Sequence, residues 1–228
     1  MTVKGLFSMG CLGFLLGSFL NLMRYRVVTM LTLHTRPHRS LPYYLWLKLQ
    51  GHTQIHRYSP ILEVVTAFCA IVLAYCFSGH TTQLIAALIL SCGLLVLSVI
   101  DIEHLLLPNL ILYPLWTLGL ICSLFHVFVD PITALLGSSI AYLSLWLLAA
   151  LYYRITRRVG LGEGDIKLFG MLGAWLGWAV LPTILLIAAL SGTVFAIGWI
   201  VLKKHNYHTP IPFGPFLAMG GWLSLLAV

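Results

Sequence analysis

Long apolar runs separated by short polar breaks make up most of this chain. A run of roughly 20 apolar residues is long enough to cross the hydrocarbon core of a bilayer. Such runs fall at about 5–23, 60–78, 83–100, 109–128, 132–153, 166–180, 182–202 and 210–227. The pattern predicts an all-α polytopic membrane protein of about eight transmembrane helices. One main loop, 24–59, follows the first of them. The stretch 166–202 is ambiguous by hydropathy alone, since it reads either as one very long helix or as two helices broken near Pro182.

Charge resolves the ambiguity. Cytoplasmic loops of membrane proteins collect Lys and Arg. With eight spans and the N-terminus outside, the inner loops hold Arg24, Arg26, Arg36, Arg39, Lys48, Arg57, Arg154, Arg157, Arg158, Lys203 and Lys204. Lys167 sits at the inner edge of the sixth span, and only Lys4 lies outside. Merging the sixth and seventh spans would move Lys203 and Lys204 to the wrong face.

Composition agrees with a membrane protein. The chain is 60% hydrophobic and 8% charged, against about 25% charged in a soluble globular domain. The net charge of +7 follows from topology and calls for no nucleic-acid partner. The first apolar run leads into arginines, so it reads as a span and not as a cleaved signal. The five cysteines all lie in apolar runs without a C-x-x-C pair, which argues against disulfides and thiolate metal sites. Gly13-x-x-x-Gly17 and Gly173-x-x-x-Gly177 are small-residue patterns that let membrane helices approach closely. Residues 1–228 read as a single membrane-embedded domain.

The chemistry must come from few groups. The six acids are Glu63, Asp101, Glu103, Asp130, Glu163 and Asp165. Asp130, beside Pro131, reads as a turn or cap residue. Glu63 lies one turn into the second span, where it needs a basic partner or a place facing the bundle interior. The other four form two pairs, after the third span and before the sixth, and the topology puts both pairs at the inner boundary. Two carboxylates held close in a low-dielectric setting do not both ionise easily, so one keeps its proton. Such a pair can activate water against a peptide carbonyl and protonate the departing amine. Gly162 and Gly164 permit turns that side chains forbid and leave room for an extended substrate. By position alone the plainer roles come first: Asp165 caps the sixth helix and Asp101 merely ends the third in water. No H-E-x-x-H, P-loop, G-x-G-x-x-G or G-x-S-x-G signature is present.

Five stretches, "GFLLGSFLNLMRYRV", "RYSPILE", "VIDIEHLLLPNLILYPL", "GLGEGDIKLFGMLGAWLGW" and "IPFGPFLAMGGWL", occur in the order found in the prepilin peptidases. In these blocks the chain resembles that family of G-x-G-D membrane aspartic proteases, also called type IV leader peptidases. The resemblance implies that Asp101 and Asp165 are the catalytic aspartates, with Lys167 in the family's G-x-G-D-x-K-L lysine position. There Lys167 either favours the ionised form of Asp165 or anchors the sixth span at the interface. It also implies that Glu63 matches a family acid. The implied activity is cleavage of the basic leader of type IV prepilins or type II secretion pseudopilins, at the cytoplasmic face of the bacterial inner membrane. Proteolysis would need no cofactor, whereas S-adenosylmethionine would serve the N-methylation that many members perform afterwards.

The chain departs from the pattern in two places. Its loop 24–59 lacks the two C-x-x-C pairs that bind zinc in many members, and so reads as a reduced, cysteine-free counterpart of that loop. It carries His34, His38, His52 and His56, but no carboxylate or cysteine supports a metal there, and no metal is expected. Asn109 stands where the family often has Asp, and is expected to cap the fourth helix. The competing readings are a small transporter using the same acids for protons or cations, and a methyltransferase or inert scaffold whose acids are structural.

Overall fold

Helices form because, in hydrocarbon, backbone polar groups must be satisfied within the segment, and the apolar runs contain few residues that interrupt the ladder. In the computed structural model the described residues are 3–35, 59–158, 160–203 and 212–227. They form α1 (Val3–Thr35), α2 (Ser59–Cys76), α3 (Thr81–His104), α4 (Asn109–Leu124), α5 (Pro131–Thr156), α6 (Glu163–Leu176), α7 (Leu181–Lys203) and α8 (Gly214–Leu225). The protein is an all-helical, multi-pass membrane protein. Among the described residues α3, α5 and α7 are long and apolar enough to cross a bilayer, and the apolar stretches Ile61–Cys76 and Asn109–Leu124 are shorter.

Helix ends differ from the hydropathy reading where local chemistry intervenes. The first helix continues past residue 23 to Thr35, because no Gly or Pro occurs between Gly17 and Pro37 to stop it. Twelve residues assigned to the loop from sequence are therefore helical. His38, His52 and His56, and with them the histidine reading of the loop, lie outside the described residues. The stretch 166–202 is two helices, as charge predicts. Gly177, at φ +78°, ends α6, and Pro182 sits in the first turn of α7, where its missing N–H costs nothing.

The chain divides into two compact units, Met1–Ser78 and Gly79–Val228. In the first, α1 and α2 meet at Gly13 and Gly17. A methyl group on Gly13 would lie 2.8 Å from the Cα of Ala67, and one on Gly17 would lie 2.7 Å from the Cα of Glu63.

In the second unit α6 is the centre. Eleven of its fourteen residues are buried, and it packs against α4, α5 and α8. Its contact with α5 runs through glycine: a methyl on Gly137 would sit 2.5 Å from the carbonyl oxygen of Gly173. Its contact with α4 is fixed by Trp175, whose indole N–H donates to the Leu115 carbonyl at 2.8 Å. On α8, Trp222 donates to the Ser91 hydroxyl of α3 at 3.0 Å. At fourteen residues α6 rises only about 21 Å, less than the hydrocarbon thickness. The three helices packed on it leave Glu163 of its first turn exposed and bury Asp165.

Candidate active site

Asp101 lies in the last turn of α3. The helix ends four residues later at Leu105, held in the left-handed region at φ 53°, ψ 37°, with its N–H returned to the Asp101 carbonyl. A carboxylate here opposes the partial negative charge at its own helix C-terminus. The compensation comes from α8. The N–H of Gly214 donates to Asp101 Oδ2 at 2.9 Å, so the positive end of one helix faces the acid misplaced at the end of another.

Asp165 is the third residue of α6, after the N-cap Gly162. It is not itself the N-cap; its carboxylate reaches back over the N-cap to the Gly162 N–H. Its Oδ2 lies 3.1 Å from where a methyl on Gly162 would stand. Its Oδ1 is buried and has no hydrogen-bond partner among the described residues. Asp101 is 5% and Asp165 9% exposed, and the two carboxylates are close enough to act on one another electrostatically. No basic side chain is ion-paired with either among the described residues. Acids sixty-four positions apart in sequence therefore share one desolvated corner of the second unit.

The glycines of the G-x-G-D stretch act differently from the sequence expectation. Gly162 has ordinary extended angles, φ −71° and ψ 141°, and neither it nor Gly164 has positive φ. Space is the requirement. A methyl on Gly164 would come within 2.8 Å of the Leu107 Cβ, so the first turn of α6 lies directly on the loop that follows α3.

Lys167 makes no hydrogen bond or ion pair with Asp165 among the described residues. Its ammonium donates to Asn109 Oδ1 at 3.3 Å, lies 4.0 Å from Glu163 Oε2 and stands 5.9 Å from the centre of the Tyr113 ring. Asn109 correspondingly is no cap: Pro108 holds that position without a side-chain bond. Lys167 and Asn109 instead tie the starts of α4 and α6 together. Glu63 belongs to the first unit, where it accepts a hydrogen bond from the Ser18 hydroxyl at 2.7 Å. Asp130 precedes α5 without a side-chain cap bond, because its carboxylate is turned to His126 at 3.2 Å. Sequence reasoning gave Gly214 no role. The signal was present in Gly214-Pro215, since proline favours a helix start, where the first N–H groups have no intrahelical acceptor.

Among the described residues no group of three or more His, Cys, Asp or Glu could hold a metal ion. The remaining described acids are dispersed. Glu103 stands 3.8 Å from His104, Glu163 is almost wholly exposed beside Lys167, and Glu63 and Asp130 have the partners given above. They do not assemble the cradle that the ribose diol and ammonium of S-adenosylmethionine would require.

A multi-pass helical protein that buries two mutually interacting aspartates at helix ends has the equipment of a membrane-embedded hydrolase. Residues 88–197 match the type IV leader peptidase family. A protein of Pseudomonas aeruginosa named prepilin leader peptidase/N-methyltransferase is 40% identical over 196 residues, covering 84% of this chain and 67% of the relative. Proteins of the same name from Stutzerimonas stutzeri and Pectobacterium carotovorum are 35% and 37% identical. They cover 94% and 96% of this chain and 88% and 92% of their own lengths. No solved structure matches the chain. The chain belongs to the type IV leader peptidase family.

Proposed function

We propose that this protein is a prepilin leader peptidase, in which Asp101 and Asp165 activate water against the peptide bond that joins a basic leader to an apolar helix. The observation that carries the proposal is the buried Oδ1 of Asp165, without a hydrogen-bond partner among the described residues, beside a second buried carboxylate. Buried polar atoms are almost always satisfied, and an exception points to chemistry. Asp101, already bound by an N–H donor, suits the base that takes a proton from water. Asp165 suits the acid that delivers a proton to the departing amine. Gly162 and Gly164 keep the approach to the pair narrow and free of side chains, and Lys167 fixes the first turn of α6 from the side. Glu63 supports the fold of the first unit through Ser18.

The active end faces the cytoplasm in this reading. In the second unit Arg154, Arg157, Arg158, Lys167 and Lys203 lie at the helix ends that carry Asp101 and Asp165, and inner loops are the basic ones. The substrate is accordingly a prepilin or pseudopilin held in the inner membrane with its leader on the inner side. The relatives' names also include N-methyltransferase; incorporation of labelled methyl groups into cleaved product tests that second activity separately. Nothing in the comparisons favours transport.

Co-expression with a prepilin tests the peptidase assignment. Asp101→Asn and Asp165→Asn are each expected to lower cleavage by about a hundredfold or more while the protein accumulates normally. Wild-type cleavage by either variant removes that residue from the mechanism.

A further inference from the structure

We infer that Gly214, at the start of the last helix, is a positioning residue for the reaction: its N–H holds the Asp101 carboxylate, and its lack of a side chain is what lets the carboxylate approach. The inference rests on the peptidase reading and adds to it a function for the Phe213-Gly214-Pro215 turn.

Three observations converge. The N–H of Gly214 bonds Asp101 Oδ2 at 2.9 Å. A methyl on Gly214 would stand 2.6 Å from that same oxygen and 3.1 Å from Asp101 Cγ, so any other residue pushes the carboxylate away from its donor. The other donors at this helix end are also accounted for. Pro215 has no N–H, the N–H of Phe216 goes to the Phe213 carbonyl at 3.1 Å and that of Leu217 goes to the same oxygen at 3.2 Å. Gly214 therefore supplies the donor that remains, and Phe213 at the N-cap offers no side-chain bond. Asp101 caps α8 from another helix, and the cap fixes where the acid points.

A purely structural glycine would behave differently. Gly214 does not have positive φ, so alanine fits its backbone and would by propensity strengthen the helix. Its cost falls on Asp101 alone. Displacement of a catalytic group by about 1 Å lowers turnover by about a hundredfold.

The test uses purified full-length protein in lipid vesicles with an inserted prepilin. Gly214→Ala is expected to lower kcat by about a hundredfold with KM within about twofold of wild type. Gly221→Ala disturbs the same helix elsewhere, since a methyl there meets Leu172 Cδ2 at 2.5 Å, and is expected to keep kcat within about threefold. An equal loss in both, or wild-type kcat in Gly214→Ala while Asp101→Asn is inactive, overturns the inference and leaves the peptidase reading standing. Activity in Asp101→Asn overturns both. Should Gly214→Ala fail to fold, the cap is read from the acid: Asp101→Asn keeps an acceptor for the N–H and Asp101→Ala does not. Asp101→Ala should then melt about 2–4 °C below Asp101→Asn, and equal melting temperatures refute the cap.

Discussion

Among the described residues Asp101 and Asp165 are buried without cationic partners, which is an expensive arrangement for carboxylates. A structural acid in such a place would be tied down on both oxygens, and Asp165 Oδ1 is not. Their amide isosteres should therefore fold well while losing activity, the opposite of what a packing defect produces. Asn109 gives a prediction of another kind. Its Oδ1 accepts from Lys167 at 3.3 Å, so Asn109→Asp turns a neutral acceptor into an ion-pair partner at a partly exposed site. Thermal unfolding in detergent should show stability held or raised by up to ~1 kcal/mol. A clear loss would mean that the lysine serves another partner.

The elements of the second unit are held by close backbone approach and by a few indole hydrogen bonds. Gly173 faces the Gly137 carbonyl across the α5–α6 contact, and neither backbone can yield as a side-chain tip would. Gly173→Ala should destabilise the protein by about 1–3 kcal/mol, seen as a lower melting temperature and poorer accumulation. Unchanged stability would show that α5 and α6 do not pack as closely as described. Much of this level is legible in sequence. The apolar runs predict the helices in order, and Gly173-x-x-x-Gly177 marks a true contact. The helix ends are less legible, because those at Leu105 and Gly177 are set by where a positive-φ residue falls, which hydropathy does not register. The partners of side chains are least legible. Nothing in the spacing of Asn109 and Lys167, or of Asp101 and Gly214, 113 positions later, announces that they touch, since only tertiary packing brings them together.

On the scale of the whole molecule, the acids are proposed to face the cytoplasm. The basic residues of α5, α6 and α7 gather at the end of the second unit that carries the pair, whereas the turn containing His126 and Asp130 lies at the other end. In a background with the native cysteines replaced, Arg158→Cys should react with a membrane-impermeant thiol reagent only in inverted vesicles, and His126→Cys only in intact, outer-membrane-permeabilised cells. The reverse pattern would put the acids on the wrong side of the membrane for a leader that lies inside.

The central claim is that two carboxylates act as one catalytic unit, and a double-variant cycle on prepilin cleavage measures this directly. Residues that work as a unit are strongly non-additive. The double variant Asp101→Asn/Asp165→Asn should cleave at the same residual rate as either single variant. Losses that multiply, or a single variant that retains the wild-type rate, would contradict a shared role.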